Sequence, residues 1–348
     1  MTRTILVALA LFLSGPAMAA PAPPNPGKLE VYRDWAVGCD NGGACTAVSL
    51  VPENGGFSDD FVGVSVSRNA GPAAQPSVRL RFFGGVNGAV RISVDGRPIA
   101  TATADGEGAL IRGPRASALA IAIAVGQQMA VSKGGKVIGR PSLAGASAAL
   151  RFIDAGQGRA GTITALVAAG PLPSAAMKPI PALPRLVRAA VPHNLKVAPL
   201  TPAERRQAEK LTGCDPEFDM DRVPDLYALG SGKTLVMLPC GSGAYNFSSV
   251  ALIASGVAGK RQFLPARFDF QPAWGEGKFP TLVNHGWDAA RSVLSSYAKG
   301  RGLGDCGSAE SYVWDGTGFR LAEASSMGEC RGALEWITTW RAAVTPGI

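Results

Sequence analysis

Several residues in this chain have the types and spacing that chemistry uses. Ser242 sits in the glycine-rich run Cys240-Gly-Ser-Gly-Ala244, and Ser296 stands three residues before Lys299. His285 is followed by Asp288. A serine hydrolase needs a nucleophile, a base and an orienting carboxylate within mutual reach, and these residues supply all three types. The local frames do not fit. The strained nucleophile elbow is Gly-x-Ser-x-Gly, and position 240 is cysteine. A Ser-x-x-Lys pair works when one helical turn brings serine and lysine together beside a Lys-Thr-Gly strand. Residues 291–298 read as a strand, and no Lys-Thr-Gly occurs. His285 precedes Gly286 and is expected in a surface turn; His193 is expected to be solvated.

Two glycine patterns imitate phosphate sites. Gly156-Gln-Gly158-Arg-Ala-Gly161 matches Gly-x-Gly-x-x-Gly, which needs a strand before it and a helix after it. Here a helix precedes, and Thr162–Val167 reads as a strand, so a helix-to-strand turn is expected. Gly230-Ser-Gly-Lys233-Thr234 resembles the end of a P-loop but lacks its first glycine, since that position is Tyr227; a hairpin turn is expected. Asp215, Glu217, Asp219 and Asp221 alternate after Cys214, without the central glycine and distal glutamate of a calcium loop. A solvated acidic loop is the expectation. No cofactor is expected.

The six cysteines carry a different message. Their even number suits an oxidising compartment, and nearest-neighbour pairing gives Cys39–Cys45, Cys214–Cys240 and Cys306–Cys330. With no Cys-x-x-Cys and two histidines in all, structural zinc is not expected and no metal ligand is assigned. The N-terminus agrees with the compartment. Arg3, the uncharged apolar run Ile5–Leu13 and Ala17-Met18-Ala19 read as a signal peptide over 1–19, too short to span a bilayer. No later run is long enough, so a periplasmic or secreted protein without a transmembrane segment is expected. The net charge of +8 is concentrated in the first half and the connector. That favours anionic envelope partners. Nucleic acid is not expected, because no basic helix is interleaved with aromatics.

The elements that would position these residues are mostly strands. Residues 20–30 form a proline-rich leader. Residues 31–170 read as an N-terminal α+β domain, with a hairpin over 31–51 closed by Cys39 and Cys45. Its helices are expected at 114–125, after Pro114, and at 142–157, where Leu143, Ala146, Leu150 and Ile153 have helical spacing. Seven prolines in 171–200 predict a semi-rigid linker of polyproline character. Residues 201–348 read as a β-rich C-terminal domain. It opens on a helix with Thr201 as N-cap, Pro202 and Glu204, and strands recur about every ten residues. Trp336 and Trp340, four apart, would share a face of a terminal helix. The predicted class is α+β, mostly β: two domains of antiparallel β-structure with a few short helices and three local disulfides.

Four segments of this chain resemble one family. They are Asp34-Trp-Ala-Val-Gly-Cys-Asp40, Ser142–Leu150, Leu238–Asn246, and Lys299–Cys306 with Tyr312–Gly316. They look like an uncharacterised family of secreted proteobacterial proteins, domain of unknown function 1176, across nearly the whole mature chain. The first half is also similar, more faintly, to the invasion-associated locus B proteins, a secreted group linked to host-cell entry. Neither resemblance implies a catalytic pattern.

The chain therefore reads as a non-enzymatic binding or accessory module for an envelope component or host-surface protein or glycan; the rival is a periplasmic serine hydrolase. The expected contact surface joins the loop Gly241–Asn246 to Gly300–Gly304, with Tyr245, Asn246, Lys299 and Arg301 as binding residues.

Overall fold

Apolar alternation with a period of two builds the first half. The computed structural model describes residues 22–56, 58, 60–192, 194–215, 222–272 and 277–347. The first eight strands are β1 (Leu29–Tyr32), β2 (Trp35–Cys39), β3 (Cys45–Ser49), β4 (Val62–Arg68), β5 (Pro76–Val94), β6 (Arg97–Ile111), β7 (Met129–Lys133) and β8 (Lys136–Gly139). They form one antiparallel sheet in the order β1-β2-β3-β4-β5-β7-β8, with β6 also paired to β5. Along β5, Val78, Leu80 and Phe82 turn inward while Ser77, Arg79 and Arg81 turn outward, as the pleat requires. Helices α1 (Pro114–Val125) and α2 (Ala146–Gly156) cover that inner face with Leu119, Ile123, Leu150 and Ile153. Both were expected, and the proline at the start of α1 is where a helix tolerates it.

The segment 171–200 carries a short 3-10 turn at Ser174–Ala176 and a strand, β9 (Arg185–Arg188). Val191 is buried in the core of the second half. Next comes α3 (Pro202–Thr212), capped as its sequence predicts: Thr201 accepts from the Glu204 N–H and Glu204 reaches back to the Thr201 N–H. Glu204 is buried and also takes the N–H groups of Gly259 and Arg261 and the Arg261 guanidinium. The capping carboxylate thus fastens the helix to the sheet beside it.

That sheet holds β10 (Asp225–Gly230), β11 (Lys233–Ser242), β12 (Phe247–Ser255), β13 (Gln262–Pro265) and β14 (Thr281–Val283). A second meander runs in sequence order through β15 (Gly286–Asp288), β16 (Val293–Lys299), β17 (Gly307–Trp314), β18 (Phe319–Met327) and β19 (Ile337–Arg341). The last strand, β20 (Ala343–Pro346), pairs in parallel with β9. The core between these sheets is aromatic: Tyr312, Trp314 and Phe319 are fully buried, with Phe268 edge-on to Tyr312 and stacked on Phe319.

The fold is mostly β, with three α-helices among the described residues, and all three disulfides join nearest neighbours in sequence. Three local expectations need correction. Residues 162–167 are a turn-rich loop, because the Asp154 carboxylate takes the N–H groups of Leu166, Val167 and Ala168 that a strand would have used in a ladder. The strand expected over 281–287 breaks at Asn284, whose φ is +43°. Trp336 and Trp340 share no helix: the β-branched run Ile337-Thr-Thr339 favours extended backbone. Trp340 donates to the Leu321 carbonyl, whereas Trp336 stacks on Tyr297.

The two halves meet across the back of β2 and β3. Trp35, Val37 and Ala47 face the helices, while Ala36, Val48 and Leu50 pack against Met327, Ala333 and Ile337 from the second half. These strands are buried on both faces, which explains their near-continuous apolar sequence. Polar contacts rim the seam: Arg331 to Asp34 at 2.6 Å, Arg341 to Asp40, and Ser65 to Glu335 at 2.6 Å.

Candidate binding site at two glycine loops

The two loops singled out by sequence touch one another. Asn246 brackets β16 through Lys299, its Nδ2 donating to the Lys299 carbonyl (2.8 Å) and its Oδ1 accepting the Lys299 N–H (3.1 Å). Asn284 braces the same corner, donating to Asn246 Oδ1, the Tyr245 carbonyl and the Tyr297 carbonyl. The Tyr245 hydroxyl donates to the Gly300 carbonyl, and its ring lies close over Gly302, where a β-carbon would sit 3.4 Å from Cδ1.

Arg301 closes the second loop. Its Nε and Nη2 fork onto both oxygens of Asp305 at 2.8 and 2.5 Å, and the Gly332 N–H donates to the same carboxylate. Burial pushes the Asp305 carboxyl up, but the Arg301 fork and the Gly332 N–H outweigh it and hold it below the ordinary value. The adjacent Cys306–Cys330 disulfide ties this corner to the segment before β19. Of the four residues named from sequence, Asn246 and Arg301 therefore act chiefly as braces. Tyr245 covers a glycine, and Lys299 holds its ammonium 5.9 Å over the Tyr297 ring.

Sequence reasoning missed the concavity beside them. A cavity of about 400 Å3 is lined by Tyr297, Leu303, Trp336 and Leu334 from the second half and by Phe83 from the first. The Tyr297 and Trp336 rings stack with centroids 5.0 Å apart. Leu303 and Phe83, 48% and 44% exposed, bring large apolar side chains from both halves to the border of one cavity. One signal could have found Phe83. In Phe82-Phe83 on an alternating strand, one ring must face outward.

The candidate catalytic residues are placed differently. Ser296 is buried, and its hydroxyl accepts the Val283 N–H and donates to the Val283 carbonyl. On a strand its three-residue offset puts Lys299 on the opposite face. His285 Nε2 lies 3.1 Å from Asp225 Oδ2; burial lowers the imidazole pKa, against the opposing pull of Asp225. Asp288 is engaged by Arg291 through its N–H and its Nε. Ser242 ends β11 on the surface. The Gly230-Ser-Gly232 run forms the β10–β11 turn with φ positive at all three residues, and Lys233 donates to the Gly316 carbonyl over the Trp314 ring. Among the described residues no three His, Cys, Asp or Glu side chains gather as a metal site. His193, residues 1–19 expected as a signal peptide and residues 216–221 of the acidic run lie outside the described residues, and among those described no helix is long and apolar enough to cross a membrane.

Comparison with known proteins gives a family description without a function. The chain is 29% identical over 361 residues to the uncharacterized protein YpfG of Escherichia coli (strain K12), covering 97% of each chain. Among solved structures, that of invasion associated protein b from Bartonella henselae covers 37% of this chain and 96% of its own, at 19% identity and a TM-score of 0.28. The family model described as protein of unknown function (DUF1176) matches residues 29–343. The chain belongs to the DUF1176 family.

Proposed function

We propose that this protein is a non-enzymatic binding or accessory module of the periplasm or the secreted fraction. It meets an envelope component or a host-surface molecule through the groove between Phe83 and Leu303. The carrying observation is the groove itself, where exposed apolar side chains from both halves border an aromatic floor. Exposed apolar side chains gathered around one concavity mark interaction sites, and aromatic floors are where binding energy concentrates. Tyr297, Asp305 and Ser325 give the lining its polar groups; Asn246 and Arg301 brace the neighbouring loops that carry Tyr245 and Lys299. Three disulfides support a compartment outside the cytoplasm. The Ser296 hydroxyl is buried and held by both backbone groups of Val283, which weakens the hydrolase alternative through that serine.

The test is capture from a native envelope fraction on the immobilised chain. Leu303→Glu should abolish capture while stability stays within about 0.5 kcal/mol, as for exposed positions in general, and Leu303→Met should retain it. Undiminished capture by the glutamate variant would refute the groove as the contact surface. Saturable labelling by a serine-reactive probe, lost in Ser242→Ala, would restore the enzyme reading.

A further inference from the structure

A second cavity, of about 680 Å3, lies between β9 and the β17–β18 corner, with Trp340 on its wall. It is separate from the aromatic groove and rests on different observations. The first is an unfinished sheet. Among the described residues β9 pairs with β20 alone, in parallel. In a parallel ladder alternate residues turn their N–H and C=O toward the same neighbour. The Ala343 N–H donates to the Pro184 carbonyl and the Gly347 N–H to the Arg188 carbonyl, so the even-numbered residues of β9 face β20. Ala189 donates the other way, to the Trp314 carbonyl. Arg185 and Val187 therefore turn their backbone groups to the side where Trp314 lies, and among the described residues neither has a ladder partner there. An isolated two-stranded ribbon is marginal, and an open edge is a template for a further strand. The chain's own leader touches the cavity through Ala22 and Pro24, but its prolines lack the N–H donors that a strand needs.

The second observation is the pattern of uncommitted charge. Asp315 is taken by Arg320 at 2.6 Å and by the turn N–H groups of Thr317 and Gly318. Arg188 donates to the Ala290 carbonyl. Asp269 is less tied: among the described residues the one hydrogen bond it receives from another residue is the Leu321 N–H at 2.9 Å, and Arg320, which is bound to Asp315, acts on it through charge alone. Burial drives its carboxyl above the ordinary value, the condition that a bound cation relieves. Arg185, also on the cavity lining, makes no hydrogen bond or ion pair among the described residues.

A strand edge, a carboxylate, a guanidinium and an indole wall around one cavity match one chemical class. We propose that this cavity binds a short extended peptide with free termini. The peptide adds as a strand to β9, with its ammonium against Asp269 and its carboxylate against Arg185. Main-chain bonds to Arg185 and Val187 supply affinity without regard to sequence, as in other cases of strand addition, and Trp340 offers an apolar surface to a side chain.

The probe is the tripeptide Ala-Leu-Ala, titrated calorimetrically into the full chain beside its N-acetylated form. The free tripeptide should bind saturably, and acetylation or Asp269→Asn should each weaken it by about tenfold or more, the worth of a charge-assisted bond. Val187→Pro should abolish binding with the fold intact, because the N–H it removes lies outside the β9–β20 ladder and edge strands accept proline. Leu303→Glu should bind the tripeptide normally, which separates this site from the groove. No saturable binding up to about 10 mM, or binding unchanged by both Asp269→Asn and Val187→Pro, would overturn the proposal.

Discussion

Gly156–Gly161 and Gly300–Gly304 look alike as sequence, each with glycines interleaved around an arginine. The first becomes a knot. Asp154 and Arg159 are wholly buried, and Arg159 donates to Gln157, Thr164 and the Gly71 carbonyl. Gln157 in turn holds the Gly43 and Arg68 carbonyls, and Arg68 holds those of Ala74 and Thr164. Burial, and then the neighbouring Arg159, bring the Arg68 guanidinium down to about 10. In the second segment Arg301 stays 45% exposed on a single carboxylate, and Leu303 points out beside a cavity. Glycine content does not separate a packed turn from a contact surface. What separates them is whether the flanking polar groups have all their bonds inside the chain.

The sharpest break in that comparison is Asp154→Ala. It strips three backbone N–H groups of their acceptor and leaves Arg159 and Arg68 without the carboxylate that offsets them. Removing one partner from a buried charged network costs about 3–5 kcal/mol, so the urea midpoint should fall steeply. A loss under about 1 kcal/mol, the range of exposed pairs, would mean the knot is dispensable and the two segments differ less than their burial implies.

Why one segment was legible from sequence and the other less so follows from distance along the chain. Strand alternation, the Pro114 and Thr201 helix starts and the nearest-neighbour disulfides are written within a few residues, and these expectations agree with the fold. Loops 241–246 and 300–304 stand out in the sequence because each abuts a cysteine, but their contact is not written locally, since Cys240 and Cys306 belong to different disulfides and the Asn246–Lys299 bonds join the loops instead. Nor is the groove, because Phe83 reaches it from another sheet more than two hundred residues away. The 162–167 loop failed for a related reason. Its apolar run does suit a strand, but one carboxylate twelve residues upstream takes the backbone donors first. Trp336 and Trp340 show local spacing overruled by β-branched neighbours.

Arg301→Ala sharpens the comparison from the other side. Asp305 is buried and would keep the Gly332 N–H but lose its fork. Hydrogen bonds to charged groups are worth about 1.5–3 kcal/mol, and the exposure of Arg301 discounts this toward the low end. Asp305 titrates below its unfolded value in the native protein. Its contribution is therefore present at neutral pH and is lost as pH falls from about 4, the ordinary Asp value, through the lower native one. The stability gap between the native chain and Arg301→Ala should close over that acid window. A gap that holds constant there would assign Arg301 a packing role instead.

The smallest expected effect tests how separate the two halves are. We propose that the proline-rich segment 171–200 divides two domains. Lys196 is exposed within it, ahead of Ala198 and Pro199, whose carbonyls are held by Arg261. Limited trypsin treatment should cut first after Lys196, because exposed backbone free of sheet pairing is where nicking concentrates. The nicked halves should nevertheless co-elute in native buffer. Leu50 and Val48 would remain against Met327 and Ile337, Arg331 on Asp34, and β9 on β20, with Val191 still in the second core. Each disulfide closes within one half, so no covalent link contributes. Separation should require urea. Free dissociation after the cut would make the groove between Phe83 and Leu303 a transient feature, whereas first cuts inside either sheet would remove the proposed boundary altogether.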